Sequence, residues 1–300
     1  MHIPDGFLDA KTAATSATLA TGGLALAVRQ VRRHLPARKV PLLGLAAAFV
    51  FAAQMLNFPI IGGTSGHLVG GVLAATLLGP SAAVIAMSCV LIIQCFLFAD
   101  GGVTALGANI LNMAIINPLI GYSVYRLVRA GLPGSRGMIV AAAFASWCAT
   151  VASAIACAGQ LALSGTAAWS LVFPTMTNVH MLIGIGEGLI TALVLTAIAR
   201  ARPELTEPTA HTGELVGLGL LTTVGLAVFV TPFACSWPDG LEKIAGAIGF
   251  EHKAVALWSG LKYTAVTGAL GALLAFALSL LLARWLAPRP TDEAQLSRSP

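Results

Sequence analysis

Long apolar stretches follow one another along almost the whole of this chain. Its 300 residues are 57% hydrophobic and only 10% charged, and the mean hydropathy is +0.86, values far outside the usual range of soluble domains. Several stretches reach the roughly 20 residues that a helix needs to cross a bilayer. We therefore predict an all-α, polytopic membrane protein whose core is a helix bundle.

The apolar stretches divide into about nine predicted transmembrane helices. They cover residues 12–28, 40–56, 64–78, 82–98, 104–127, 138–163, 171–199, 215–230 and 256–283. No basic leader precedes an apolar run, because Asp5, Asp9 and Lys11 occupy the start of the chain. We therefore expect no secretory signal peptide.

The basic residues between these spans predict the orientation of the chain. With the N-terminus outside, four of the seventeen Lys and Arg residues face outward, namely Lys11, Lys243, Lys253 and Lys262. The other thirteen fall on the opposite side. The positive-inside rule then predicts an external N-terminus and a cytoplasmic C-terminus, in the cell inner (plasma) membrane. The net charge of +5 is explained by these short clusters, so we expect no nucleic-acid partner.

Composition also divides the chain into parts. The segment from Arg200 to Gly213 carries two prolines and several charges that lipid cannot bury. We predict a seven-span part over residues 1–202, a cytoplasmic linker over 203–213, and a two-span part over 214–300 that ends in a cytoplasmic tail. Between the last two spans, apolar residues at helical spacing predict an external amphipathic helix after Asp239.

The first two residues form a potential metal chelate. The Met1 α-amine and the His2 amide nitrogen close a five-membered ring on a metal ion, and the amide and His2 Nδ1 close a six-membered ring. This site requires that the amine is free, and we expect the initiator Met to be retained because His2 is bulky. Three nitrogens in one plane leave a fourth position open.

His67 is our candidate for that fourth nitrogen. It follows a Gly-Gly-Thr-Ser-Gly sequence at the start of the shortest predicted span, where Thr64 or Ser65 is expected to cap the helix. An ionisable side chain near the outer end of a membrane helix is a candidate functional residue. The alternative is a histidine that hydrogen-bonds to a neighbouring helix.

Other polar and sulfur-containing residues have less specific interpretations. Asp5 and Asp9 are expected either to orient an imidazole or to be solvated at a helix entrance. His180 and Glu187 are predicted to meet polar partners, such as nearby asparagines, and a metal relay is the alternative. The five cysteines show no metal-binding spacing, so we interpret them as apolar fillers, with a soft-metal relay as the alternative.

Several of these segments carry a family resemblance. The sequences MHIPDG, GGTSGH and HMLIGIGEG resemble the CbiM/NikM substrate-binding components of energy-coupling-factor importers. The sequence SWPDGLEKIAGAIGF resembles the small CbiN/NikN-type accessory component, also called the PDGLE domain. The chain therefore looks like a fusion of the two.

The resemblance implies uptake of Ni²⁺ or Co²⁺. In this family, separate cytoplasmic ATPase (A) subunits and a coupling transmembrane (T) subunit drive the uptake, and the metal ligands would be Met1, His2 and His67. No cofactor beyond the transported ion is expected. Four coplanar nitrogens favour Ni²⁺ over Zn²⁺, and we rank nickel ahead of cobalt; Cu²⁺ should bind at least as well by intrinsic affinity.

The competing functions differ in what they require. A secondary transporter or channel would work without an ATPase and usually carries charges in midspan, which are nearly missing here. An intramembrane metalloprotease would need an HExxH motif, which the sequence lacks. The sequence also has no Walker A motif, so we expect the chain not to be an enzyme and to depend on partners for ATP hydrolysis.

Overall fold

Helices make up most of the described structure. The computed structural model describes residues 1–201 and 212–288. Most of the predicted linker 203–213 and the tail beyond residue 288 therefore lie outside the described residues. The α-helices are α1 Ala10–His34, α2 Val40–Gln54, α3 Gly71–Leu78, α4 Pro80–Ile93, α5 Leu106–Asn109, α6 Asn117–Gly131, α7 Gly134–Leu163, α8 Trp169–Ala201, α9 Thr212–Gly225, α10 Gly240–Ile248 and α11 Ala265–Leu286.

Segments of π-helix and 3₁₀-helix adjoin several of these α-helices. The π-helical segments are Gln94–Phe98, Ile110–Ile116 and Leu226–Val230, and the 3₁₀ segments are Ala37–Lys39, Thr231–Phe233 and Glu251–Lys253. The segment Ile110–Ile116 joins α5 to α6, so the predicted fifth span forms one interrupted helical run. The amphipathic helix predicted after Asp239 is confirmed as α10, which buries Leu241, Ile244 and Ala245.

Six helical segments of the described chain are long and apolar enough to cross a membrane. They are Ala37–Gln54, Pro80–Phe98, Gly134–Leu163, Trp169–Arg200, Val216–Phe233 and Ala265–Leu286. A membrane helix bundle is therefore confirmed, but nine spans are not. The helix α3 has only 8 residues, about 12 Å at 1.5 Å per residue, which is less than half of the hydrocarbon core.

The third predicted span is wrong in its first half. Residues Thr64–Gly66 form strand β2, which pairs antiparallel with β1 at Phe58–Ile60. The turn between the strands uses Gly62 and Gly63 at φ +96° and +72°, a conformation that glycine adopts without a Cβ clash. Thr64 and Ser65 therefore do not cap a helix, and His67 lies in the loop between β2 and α3.

Contacts near the helix ends define two ends of the bundle. At one end, which we call the basic end, Lys39 donates to the carbonyls of Leu77 and Leu78 at 3.3 Å each, and the Arg32 guanidinium lies 4.8 Å from the Trp285 ring centre. The opposite end holds the N-terminus and α10, and we call it the amine end.

The two predicted parts share one hydrophobic core. The helix α11 packs along α2, where a Cβ at Gly44 would lie 3.1 Å from the Phe276 ring. The helix α10 packs on α8 and β2. The part that begins after the linker is thus attached to the first part at both α2 and the amine end.

Candidate metal site

The N-terminal segment enters the bundle instead of extending into solvent. Ile3 and Phe7 are buried among the core residues. The Asn109 side chain accepts from Ile3 N at 2.8 Å and donates to Ile3 O at 3.0 Å, while Gly102 N donates to the same carbonyl at 2.8 Å. These bonds replace the strand or helix partners that a buried backbone segment needs, and they fix the position of Met1 and His2.

The two early carboxylates do not orient an imidazole. Asp5 is buried and accepts from Thr104 N at 2.7 Å and from Val103 N at 3.2 Å. Asp9 is the N-cap of α1 and accepts from Thr12 N at 3.0 Å. Both residues therefore fasten the N-terminal segment to the scaffold, so the prediction that they orient an imidazole is wrong. The alternative of a solvated residue at a helix entrance fits the exposed Asp9 but is wrong for the buried Asp5.

The α-amine of Met1 lies between two partners. It is 3.5 Å from His67 Nε2 and 2.6 Å from Asp239 Oδ2. In a square plane these two nitrogens would be neighbouring ligands, which lie about 2.9 Å apart when each is 2.0–2.1 Å from the ion. A movement of about 0.6 Å would therefore let the amine and the His67 ring share one metal ion.

The His67 ring is oriented by the loop around it. Its Nδ1 donates to Leu68 O at 3.2 Å, which leaves the Nε2 lone pair directed toward the amine. The carboxylate of Glu187 in α8 accepts from Val69 N at 2.6 Å and from Gly70 N at 2.9 Å. Glu187 therefore holds the loop that carries His67. Its partners are these two backbone N–H groups, and not the asparagines that the sequence predicted.

His2 completes the group of three predicted ligands. Its ring stacks on the His67 ring with centroids 5.5 Å apart and an interplanar angle of 19°. Its Nε2 lies 3.2 Å from Gln94 Oε1, and its Nδ1 lies 3.1 Å from Asp100 Oδ1. Both ring nitrogens therefore face oxygen acceptors, and His2 Nδ1 has to leave the Asp100 carboxylate before it can serve as the donor atom that the chelate needs.

The charges at the site shift the ionisation of these groups in opposite directions. Burial alone would lower the pKa of the Met1 amine, but the neighbouring Asp239 carboxylate outweighs it and raises the pKa above 8.0. Burial lowers the pKa of His67 to about 3, and the charged amine adds to this. Burial also lowers the pKa of His2, against the opposing charge of Asp100. The imidazoles are thus neutral near pH 7, while the amine holds a proton.

A small cavity adjoins this group. Its volume is about 10 Å³, and its lining includes Met1, His67, Thr150, His180 and Asp239. Such a volume corresponds to roughly one water molecule. The His180 Nδ1 donates to Met176 O within α8 at 2.8 Å, so His180 also has no asparagine partner.

Side chains alone do not form a metal site here. In residues 1–201 and 212–288, no group of three His, Cys, Asp or Glu side chains is placed to hold a metal ion. A site at the amine end therefore needs backbone nitrogens among its donors. The amine, the His2 amide, His2 Nδ1 and His67 Nε2 are all nitrogen donors, and such a set suits Ni²⁺ better than Mg²⁺ or Ca²⁺.

The sequence did not identify three polar neighbours of the site. Gln94 contacts His2 and donates to Gln54 Oε1 at 2.7 Å, Asp100 faces His2, and Asp239 faces the amine. The PDGLE sequence was a signal for Asp239, since the motif lies on the same predicted side as His2.

Comparison with known proteins identifies the family. The family model described as "Cobalt uptake substrate-specific transmembrane region", CbiM, matches residues 2–205. The chain belongs to the CbiM family. The match covers every residue of the metal site described above except Met1 and Asp239.

Relatives of this CbiM-family chain include fused proteins. It is 39% identical over 306 residues to "Putative fused nickel transport protein NikMN" from Archaeoglobus fulgidus, which covers 95% of this chain and 99% of that one. It is 32% identical to "Putative cobalt transport protein CbiM" from Methanococcus voltae over 69% of this chain and 95% of that one. The resemblance to a fused CbiM/NikM-type protein is therefore confirmed.

A solved structure shares the fold of about two thirds of this chain. "Crystal Structure of an Truncated Transition metal Transporter" superposes with a TM-score of 0.61 at 35% identity, covering 67% of this chain and 99% of that chain. The CbiM family and the apolar helices together establish a membrane protein of the transport class.

Proposed function

We propose that this chain is the substrate-specific component of an energy-coupling-factor importer and takes up Ni²⁺, or Co²⁺, from outside the cell. The ion binds at the amine end through the Met1 amine, the His2 amide and imidazole, and His67. The observation that supports this most directly is the 3.5 Å distance between the Met1 amine and His67 Nε2.

The proposed donor set favours nickel. An ionised amide and three further nitrogens produce a square-planar field, which suits Ni²⁺ and Cu²⁺ better than tetrahedral Zn²⁺. Relatives are named for nickel in Archaeoglobus fulgidus and for cobalt in Methanococcus voltae. Co²⁺ would use the same rings with an added axial ligand.

The proposed assembly has three parts. Residues 1–202 form the metal-binding component, 203–213 a cytoplasmic linker, and 214–300 the CbiN/NikN-like component. Since the sequence has no Walker A motif, cytoplasmic A subunits would hydrolyse ATP and a membrane T subunit would couple hydrolysis to uptake. The N-terminus and α10 would face outward in the inner membrane.

Metal titration of the purified full-length protein tests the ligand set. His67→Ala and acetylation of the Met1 amine should each weaken Ni²⁺ binding by roughly 100-fold or more, because each removes a direct ligand and even indirect partners are worth 10–100-fold. His252→Ala, which removes an exposed histidine at the amine end, is the control and should bind like wild type. Retained affinity in the acetylated protein would show that the amine is not a ligand.

Transport assays separate the importer from a stand-alone secondary transporter or channel. In proteoliposomes, Ni²⁺ uptake should require the partner A and T subunits together with ATP. Uptake by the chain alone without ATP, at the rate of the full assembly, would show the alternative to be correct.

A further inference from the structure

The C-terminal part of the chain reaches both metal-binding residues at the N-terminus. Asp239 belongs to this part and contacts the Met1 amine at 2.6 Å. Tyr263, also in this part, donates to Asp100 Oδ2 at 2.9 Å, and Asp100 Oδ1 contacts His2 Nδ1 at 3.1 Å. Two separate contacts thus join the C-terminal part to two consecutive donor residues.

The carboxylate of Asp239 is fixed from both sides. Its Oδ1 accepts from Glu242 N at 2.8 Å as the N-cap of α10, and its Oδ2 faces the amine. The Met1 side chain is 3% exposed and the Asp239 side chain is 16% exposed. Water therefore screens the ion pair between them only weakly. A helix cap that is also an ion-pair partner holds the amine in a fixed place.

The same segment holds the strand that leads to His67. Ser65 N donates to Pro238 O at 2.8 Å, and Ser65 Oγ donates to Trp237 O at 2.7 Å. Trp237, Pro238 and Asp239 therefore contact β2 and the amine together. This explains how the amine comes within 3.5 Å of His67 Nε2.

The contact through Tyr263 is equally well supported by packing. The Tyr263 ring stacks on Phe98 with centroids 4.5 Å apart, and Leu261 N donates to Leu97 O at 2.7 Å. These contacts position the segment ahead of α11 beside the turn that carries Asp100.

We propose that Asp239 and Tyr263 are positioning residues: they hold the Met1 amine and, through Asp100, the His2 ring in place before the metal ion arrives. The role of the C-terminal part is then to assemble the ligands rather than to donate one. This inference rests on the proposed function, since it takes Met1 and His2 as ligands.

The first test labels the N-terminal amine of the metal-free, full-length protein with an amine-acylating reagent. Asp239→Asn keeps the helix cap, because Asn caps about as well as Asp, but removes the charge that holds the amine. Labelling should then be faster by roughly tenfold, because a buried charge without its partner is strongly destabilised. Asp239→Ser, which also retains a capping oxygen, provides a second variant if Asp239→Asn folds poorly.

Glu242→Gln is the matched control for this test. Glu242 forms the other half of the capping box and accepts from Asp239 N at 3.0 Å, but it does not contact the amine. Its labelling rate should stay within about twofold of wild type, since Gln also serves in a capping box. Equal labelling of wild type, Asp239→Asn and Asp239→Ser would overturn the role of Asp239.

The second test separates positioning from attraction of the cation. Stopped-flow measurements with Ni²⁺ should show association slowed severalfold in Tyr263→Phe, with dissociation nearly unchanged, because preorganisation reduces the cost of binding. Tyr263→Phe changes no charge, and Tyr122→Phe on α6 is its control. A wild-type association rate in Tyr263→Phe would overturn the role of Tyr263.

The two proposals fail in different ways. If His67→Ala binds Ni²⁺ like wild type, the proposed ligand set is wrong, whereas the labelling of the metal-free protein still measures whether Asp239 holds the amine. If His67→Ala loses binding and labelling is the same in all variants, the metal site stands and the positioning role is wrong.

Discussion

The Met1 amine and the His67 imidazole present different protonation states to an incoming metal ion. The pKa of His67 is lowered to about 3 by burial and by the charged amine, so its Nε2 is free of a proton over the physiological range. The pKa of the amine is raised above 8.0, because Asp239 outweighs the effect of burial. At the proposed site, metal binding would therefore displace a proton from the amine and a second one from the His2 amide.

These shifts give the pH dependence of binding a definite sign. A raised amine pKa means that protons compete with the metal ion throughout the range below that pKa. The Ni²⁺ affinity should therefore rise with pH from about 6 to beyond 8, by about tenfold per pH unit for each proton released. The lowered imidazole pKa values predict no separate step near 6.5.

Isothermal titration in buffers of different ionisation enthalpy measures this proton release directly. About two protons should leave per ion bound at pH 7, one from the amine and one from the His2 amide. An affinity that stays constant between about pH 5 and 8, or binding without proton release, would contradict the ligand set.

The sequence predicted the proposed ligands but not their partners, for a physical reason. Met1 and His2 form chelate rings from adjacent atoms, so their chemistry is local and can be derived from two residues. Asp239 lies 238 positions away from Met1, and its contact exists only because α10 packs on β2. Spacing along the chain contains no information about such a pair.

At the scale of elements, the loop before α3 explains why the predicted third span is not helical in its first half. The run from Thr64 to Leu78 is apolar and rich in small residues, which favours a membrane helix. The structure instead satisfies this backbone with β1, with Pro238 and with the Glu187 carboxylate. Non-helical backbone at membrane depth is tolerated where protein groups satisfy it, and those groups lie far away in sequence.

Glu187 provides a test of this element. Glu187→Ala removes the acceptor of two buried N–H groups, and we expect a loss of roughly 2 kcal/mol or more in unfolding free energy. Because the same loop carries His67, Ni²⁺ affinity should also fall by roughly tenfold. Thermal unfolding and metal titration in detergent measure the two effects.

The control for Glu187 lies on the same helix. Thr196→Ala removes a hydroxyl that bonds only within α8, to Ala192 O, and should leave both quantities near wild type. Glu187→Gln keeps one acceptor oxygen and should be intermediate. Wild-type stability and affinity in Glu187→Ala would show that the loop is held by other contacts.

At the scale of the whole molecule, charge asymmetry and the ends of the bundle agree. Basic residues such as Arg32 and Lys39 lie at the basic end, together with the loop before α7. The loop before α8 and the helix α10 lie at the amine end, and Thr166 in that loop donates to Phe7 O. The positive-inside rule therefore predicts that the amine end faces outward.

Single cysteines at exposed positions test this orientation. Ala168→Cys and Ala247→Cys lie at the amine end, and Ser135→Cys lies at the basic end; all three positions are exposed. A membrane-impermeant thiol reagent should label the first two in intact cells and Ser135→Cys only after permeabilisation. The parent chain for these variants carries Cys148→Ser and Cys235→Ser, because those two cysteines are partly exposed, whereas Cys89, Cys95 and Cys157 are buried and should give a low background. Labelling of Ser135→Cys alone in intact cells would place the site on the cytoplasmic side, where it could not receive an external ion. Labelling of Ala168→Cys and Ala247→Cys from opposite sides would separate α10 from the N-terminal site.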